Sequence, residues 1–308
     1  MSLIKIGTRK SQLALWQANH VASLLKQANK ALNVELVEIT TEGDRFLHAP
    51  LSQAGGKGMF LKELEEALYA GEIDIAVHSM KDVTVTLPQG LHIGAILKRH
   101  DVRDALVSSN KVLLEEMPAG AVVGTCSLRR QCLIGHHYPH LEVKNIRGNV
   151  NTRLAKLDKG EFDAIILAAA GLKRLKLEHR VSEYLDEEKF VPAVGQGAIG
   201  VECRINDDRV NALLGILNDS MSDVCVTSER RVNMRLGGGC HVPLAVYARG
   251  VDEKIQLFAF AGLPDGSEVV SVLHTGQISN PVLASEQMAD KLITKGALKV
   301  IASVNERS

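Results

Sequence analysis

A thiol stands among glycines in Gly237-Gly238-Gly239-Cys240-His241-Val242-Pro243. The glycines strip side chains from around the sulfur and let the backbone turn tightly, which suits a nucleophile or a tethering point. A helix-stopping glycine run followed by an incidental cysteine would read the same way. Cations gather at three other places: Gly7-Thr8-Arg9-Lys10-Ser11, Gly124-Thr125-Cys126-Ser127-Leu128-Arg129-Arg130 and Ile146-Arg147-Gly148-Asn149-Val150-Asn151-Thr152-Arg153. Each follows a short apolar run and opens a helical pattern, where exposed N–H groups and the positive dipole end already favour an anion. With Ser127 as N-cap, Arg129 and Arg130 fall in a first turn that opposes their charge, so a bound anion would account for them. A set of solvated surface arginines is the plainer alternative. Asp82 closes the apolar run Val77-His78-Ser79-Met80-Lys81-Asp82, a position from which it could hold a ligand N–H, stabilise positive charge or simply cap a turn.

Other groups promise less. Gly55-Gly56-Lys57-Gly58 is not a Walker loop; it ends a patternless stretch, Glu42–Gly58, that reads as a mobile cover over a site or as an ordinary glycine-rich turn. Cys132, His136 and His140 have helical spacing, but Tyr138-Pro139 interrupts the helix and no fourth ligand is near, so no metal is expected. His20 and His78 read as structural histidines.

The elements that must position these residues alternate. Leu3–Thr8, Val34–Ile39 and Ile73–His78 read as strands; a helix capped by Ser11 carries Leu15, Ala18, Val21, Ala22 and Leu25, and another covers Met59–Tyr69. A second series follows: strand Ala121–Gly124, a helix from Ser127, strand Leu141–Ile146, helix Asn149–Lys159, strand Phe162–Ala168. Such alternation predicts two similar α/β units in tandem with mostly parallel sheets, whose ligands bind beyond the strands' carboxyl ends. From about residue 217 the pattern becomes helix Met221–Leu236, strand-like runs Val242–Ala248, Ile255–Ala261 and Glu268–His274, and a helix within Pro281–Lys295, a small α+β domain. The Pro/Gly-rich stretch Val191–Gly197 suits a crossover or hinge.

Composition narrows the function classes. The 308 residues exceed one ordinary hydrophobic core. Lys plus Arg balance Asp plus Glu at 36 each, which leaves no global field for nucleic acid or an anionic membrane, so anion recognition must be local. No apolar run approaches ~18 residues, Met1–Gly7 lacks the look of a secretory signal, and the five cysteines are scattered. A soluble protein of a reducing, cytoplasmic compartment is expected. A secreted two-lobed binding protein would use the same strand-end cations but has no need of a glycine-flanked thiol. A cysteine-dependent hydrolase lacks a convincing base.

Five motifs in order, Lys5-Ile6-Gly7-Thr8-Arg9-Lys10-Ser11-Gln12-Leu13-Ala14, His78–Asp82, Gly124–Arg130, Asn145–Arg153 and Gly239-Cys240, resemble those of the porphobilinogen deaminases across essentially the whole chain. The resemblance implies two doubly wound α/β domains like those of periplasmic binding proteins with the active cleft between them, and a small α+β third domain bearing the cofactor cysteine. In that fold the chain returns to the first domain at Val191–Gly197, so the expected boundaries are 1–97 with 195–216, 98–194, and 217–308. It implies a dipyrromethane held by a thioether to Cys240, head-to-tail addition of four porphobilinogens with loss of ammonia, and release of the linear tetrapyrrole by water. Asp82 would be catalytic, binding pyrrole N–H groups and stabilising a cationic azafulvene-like species. Lys81, Asp82, Thr125, Ser127, Arg129, Arg130, Arg147 and Gly171 would bind the cofactor; Arg9, Ser11, Arg147, Arg153 and Arg174 would bind substrate. Arg99 and Gln196 are further candidates for ligand contact. The resemblance also implies a monomer whose product passes to uroporphyrinogen-III synthase. Two positions depart from the family pattern: no proline follows Asp101, and His241 replaces the usual glutamine.

Overall fold

The structure, a computed structural model, describes residues 3–45, 58, 60–239 and 242–307. In chain order its strands are β1 (Leu3–Arg9), β2 (Asn33–Ile39), β3 (Ile75–Ser79), β4 (Leu91–Ile96), β5 (Asp104–Ser108), β6 (Val122–Gly124), β7 (Glu142–Lys144), β8 (Ala164–Ala168), β9 (Glu183–Tyr184), β10 (Ile199–Arg204), β11 (Leu244–Val251), β12 (Lys254–Gly262) and β13 (Val269–Gln277). The helices are α1 (Gln12–Ala28), α2 (Glu42–Arg45), α3 (Lys62–Tyr69), α4 (Leu128–His137), α5 (Val150–Asp158), α6 (Ala169–Arg174), α7 (Asp208–Gly215), α8 (Ser220–Arg235), α9 (Pro281–Thr294) and α10 (Ala297–Arg307). The chain divides into two compact units, Met1–His100 with Gly197–Asp223 and Asp101–Gln196 with Val224–Ser308.

In the first unit the sheet order is β2-β1-β3-β10-β4. Ser11 ends β1's extension by accepting the Ala14 N–H at 3.2 Å, which starts α1. The helix buries Ala18, Val21, Ala22 and Leu25, a stripe at helical spacing, against Ile4, Ile6, Ile75 and Val77 of the sheet. Val21 and Leu25 are 0% and 1% exposed, and each contributes roughly 1.5–3 kcal/mol through burial.

The second unit repeats the plan as β7-β6-β8-β5-β9 and adds a meander, β11-β12-β13, with α9 on one face. Alternation sorts the meander's side chains: Val246, Ala248, Leu257 and Ala259 join Met288 and Leu292, while Ala245, Tyr247, Phe258 and Phe260 share a cluster with Leu106, Val123 and Leu133. The two α/β sheets and smaller α+β part agree with the fold class read from the sequence.

The mostly parallel expectation holds for four of the five strands in each sheet, and the fourth strand in the order is the exception. β10 runs antiparallel to β3 and β4, and β5 antiparallel to β8 and β9. The fourth strand of each sheet is thus supplied by a segment arriving from the opposite end. Strands β4 and β5 escape the sequence pattern. Gly94 interrupts β4, where a side chain would meet Cys203 Sγ and Leu214 Cδ1 at 2.8 Å; β5 opens on the charged Asp104. The C-terminal helix α10 was likewise not read.

Candidate active site

In the first unit, parallel strands β1 and β3 lie side by side, so the segments beyond their carboxyl ends emerge at one edge of the sheet. From β1 come Arg9 and Ser11. Arg9 donates from Nε to both Asp44 oxygens at 3.1 and 3.2 Å and from Nη2 to Oδ1 at 2.5 Å. Its guanidinium carbon lies 3.9 Å from the Phe60 ring centroid. Burial pushes the Asp44 carboxyl up, but the bonds and charge of Arg9 outweigh it and hold the group below the usual carboxylate range. From β3 comes a short 3-10 turn, Met80–Asp82, carrying Lys81 and Asp82. Asp82 is exposed and takes no hydrogen bond or ion pair from the described residues.

Neutral contacts hold that turn. The Met80 N–H donates to the Ala198 carbonyl at 3.1 Å, and Gln17 Nε2 donates to Ser79 Oγ at 2.8 Å. Met80 fills a slot over Gly200, where a β-carbon would sit 2.1 Å from its sulfur. Below, His78 Nε2 and Glu202 Oε2 are 2.8 Å apart, with side chains 4% and 0% exposed.

In the second unit the adjacent parallel strands β7, β6 and β8 likewise deliver their following segments to one edge. Thr125, Ser127, Arg129 and Arg130 follow β6; Arg147 and Arg153 follow β7; Gly171 and Arg174 follow β8 on α6. Thr125 Oγ1 accepts the Ser127 N–H at 3.2 Å. Ser127 occupies the N-cap position of α4 without a side-chain cap bond. Asn149 caps α5 through the Thr152 N–H, and Arg153 Nε donates to Gly148 O at 2.7 Å. Gly148 has φ +116°, a backbone region open to glycine. Arg174 is buried, and desolvation pushes it down to about 10.

Arg129 and Arg130 are not surface cations: they are 5% and 6% exposed. Both turn to Asp104, the first residue of β5, which is 0% exposed. Arg129 Nη2 lies 2.7 Å from its Oδ2, and Arg130 donates Nη2 and Nε to Oδ1 at 2.7 and 3.2 Å. Gln196 Nε2 adds a bond to Oδ1 at 2.9 Å. Burial raises the Asp104 carboxyl, yet the charges of Arg129 and Arg130 with these bonds bring it down to about 2. An internal carboxylate therefore meets part of the charge that the sequence reading assigned to a bound anion.

Asp104 is the site residue that sequence reasoning missed. Its signal lay in the short acidic-basic run Asp101-Val102-Arg103-Asp104, which in the sequence draws notice only for lacking a proline after Asp101. Asp101 also binds cations, accepting from Arg103 Nη2 and Lys173 Nζ at 2.7 Å each. Cys132 is buried and pushed up to about 12 by desolvation, while His136 and His140 go to the carbonyls of Gly266 and Met117. Among the described residues no cluster of His, Cys, Asp and Glu is arranged for a metal, and no helix is long and apolar enough to cross a membrane. Cys240, His241 and most of the Glu42–Gly58 segment lie outside the described residues.

Two family models match the chain in order: the porphobilinogen deaminase dipyromethane cofactor binding domain over residues 4–212, and the porphobilinogen deaminase C-terminal domain over residues 224–294. The chain belongs to the porphobilinogen deaminase family. Membership makes it a transferase of tetrapyrrole synthesis, a hydroxymethylbilane synthase with a dipyrromethane cofactor and porphobilinogen as substrate. Among the solved structures the chain resembles, two share little sequence with it. The BvgS periplasmic VFT2 domain of Bordetella pertussis is 15% identical, with 69% of this chain and 85% of that one covered at a TM-score of 0.42. The periplasmic aliphatic sulphonate binding protein SsuA of Escherichia coli is also 15% identical, covering 76% and 74% at 0.42. Similarities this low carry no argument about the site.

The second unit's residues suit the cofactor the family carries. Dipyrromethane is a polycarboxylate, and at the first turn of α4 Arg129 and Arg130 outnumber the one carboxylate they share. The buried Nε of Arg129 has no hydrogen-bond partner among the described residues. An orphaned N–H and a surplus positive charge both favour an incoming carboxylate.

Proposed function

We propose that this porphobilinogen deaminase joins four porphobilinogens head to tail, with loss of one ammonia at each addition, and releases the linear hydroxymethylbilane by hydrolysis. The observation that carries the reading is the ordered match to both family domains, of which the first is the cofactor-binding domain. Dipyrromethane, anchored through Cys240, supplies the pyrrole terminus to which the first ring is added.

This chain's own residues then have distinct tasks. Asp82 is exposed and takes no hydrogen bond or ion pair from the described residues, so its carboxylate is available to accept pyrrole N–H bonds and to face the positive charge that develops as ammonia departs. Lys81, Thr125, Ser127, Arg129, Arg130, Arg147 and Gly171 serve the cofactor. Arg9, Ser11, Arg147, Arg153 and Arg174 serve the acetate and propionate groups of the substrate. Every added ring brings two more carboxylates, and two like charges 4 Å apart repel by about 4 kcal/mol at an effective dielectric of 20. Planar arginines offset this with paired N–H donors. We assign the cofactor cysteine to a domain formed by residues 217–308, beside domains of 1–97 with 195–216 and of 98–194. The enzyme acts as a cytoplasmic monomer that passes its product to uroporphyrinogen-III synthase.

Intact-protein mass spectrometry tests the reading. The purified chain is expected to carry an adduct of two pyrrole rings that is absent from Cys240→Ser, and an unmodified yet fully active wild type would overturn it.

A further inference from the structure

Burying two guanidinium groups around one carboxylate is a poor way to stabilise a fold. Each ion loses hydration on burial, and only a matched partner restores it. Here the stoichiometry is unmatched: Arg129 and Arg130 both lie 2.7 Å from Asp104 oxygens, leaving one net positive charge in this three-residue cluster. The mismatch registers on Arg129. Burial pushes its guanidinium down, Asp104 pushes it up, and Arg130 pushes it down again, with a net lowering.

The remaining bonds fix the geometry. Arg129 Nη1 donates to the Val191 carbonyl and Arg130 Nη1 to the Ile166 carbonyl, each at 2.8 Å. Asp104 itself pairs across the sheet with Ala168, the last residue of β8. Both guanidinium groups are therefore tied to the sheet at its carboxyl edge, in the first turn of α4, while the buried Arg129 Nε has no partner among the described residues.

We propose that Asp104 is a positioning residue: it neutralises one of two buried cations, locks both guanidinium groups, and leaves one net positive charge and the Arg129 Nε–H for a pyrrole carboxylate. This rests on the polymerising function proposed above, since it requires the first turn of α4 to hold a carboxylate of cofactor or substrate. A purely structural ion cluster would instead need no surplus.

The test uses the full chain as Asp104→Asn and Asp104→Glu, with thermal melting, the mass of the Cys240 adduct, and kcat and KM for porphobilinogen measured on each. Asp104→Glu keeps the charge but moves the carboxylate by one methylene. It is expected to fold and carry the adduct, with kcat lowered about 10- to 100-fold and KM changed far less, as misplacement by about 1 Å does. Wild-type kcat in folded Asp104→Glu would reduce Asp104 to a structural ion, and this variant decides the matter if Asp104→Asn does not fold. A separate titration with pyromellitate, a tetracarboxylate, reads the charge directly. Folded Asp104→Asn carries one more positive charge and is expected to bind several-fold more tightly than wild type, with a steeper loss on adding salt. Unchanged binding and salt dependence would also overturn the proposal. A wild type lacking both adduct and turnover, but binding pyromellitate in this Asp104-dependent way, would sink the polymerising reading and leave the charge assignment standing.

Discussion

The two sheets each bury a carboxylate on their fourth, antiparallel strand, and they use it differently. Glu202 of β10 meets His78, a partner charged only when protonated, well inside the first sheet. Asp104 of β5 sits at the edge of the second and meets two permanent cations. The acidic group displayed beyond the first sheet, Asp82, has no partner among the described residues, and neutral contacts hold Ser79 and Met80 just before it. The difference follows from the charge each edge must present. A carboxylate that is to face a developing cation loses its effect if an arginine neutralises it beforehand. Cations that are to hold carboxylates tolerate an internal anion as long as they outnumber it.

Mutations at the two edges are accordingly expected to separate activity from stability. The largest effect is predicted for Asp82→Asn, with porphobilinogen turnover falling by about 10²–10³. Its melting temperature should stay near wild type, because the side chain is exposed; near-normal turnover would remove Asp82 from the mechanism. Arg130→Lys is predicted to lower both, since an ammonium cannot reproduce bonds to Asp104 and the Ile166 carbonyl together. A loss of about 3–5 kcal/mol in denaturant unfolding would match a broken buried pair; full stability with lost activity would erase the contrast between the edges.

Gly200→Ala sharpens the neutral side of the comparison. Its new β-carbon would lie 2.1 Å from the Met80 sulfur, pushing on the turn that carries Lys81 and Asp82. Turnover is expected to drop about tenfold, with a smaller added loss in a Met80→Ala background, and additive effects in that double-mutant cycle would separate the slot from the turn.

Acid titration reads the charged side. The Asp104 carboxyl goes from 3.8 in the unfolded chain to about 2 in the fold, so its contribution is complete above about pH 4 and disappears as the pH falls toward 2. The wild type is expected to lose stability over that window, and Asp104→Asn, if folded, to show a shallower slope there. Equal slopes would locate the acid sensitivity elsewhere, for instance at Asp101, which Arg103 and Lys173 also hold low despite burial. The smallest effect belongs to Ser11→Ala, which removes the cap on α1 and should cost about 0.5–2 kcal/mol in a thermal or denaturant melt.

Much of this molecule was legible in the sequence because it rests on local rules. Helix α1 could be read from its cap and apolar stripe, and the strand-end position of Arg9, Asp82, Arg129 and Arg147 from the apolar runs before them. What escaped depends on residues distant in the chain. Asp104 reaches Arg130 across 26 positions, and His78 reaches Glu202 across 124. The antiparallel entry of β10 could not follow from a period-two pattern, which carries no direction. Arg129 shows the same limit from the other side: its place in a first turn was readable, but its burial against an internal acid was not.

The position of β10 also sets an order of assembly. β3 keeps an open edge until Ile199–Arg204 has been synthesised, some hundred residues after β4. The turn bearing Asp82 takes its Ala198 carbonyl and its Gly200 slot from that late segment. A nascent chain released before it would hold the second sheet's strands yet lack the support for the first sheet's acid, so competence arrives late in translation, after a closure of long sequence separation.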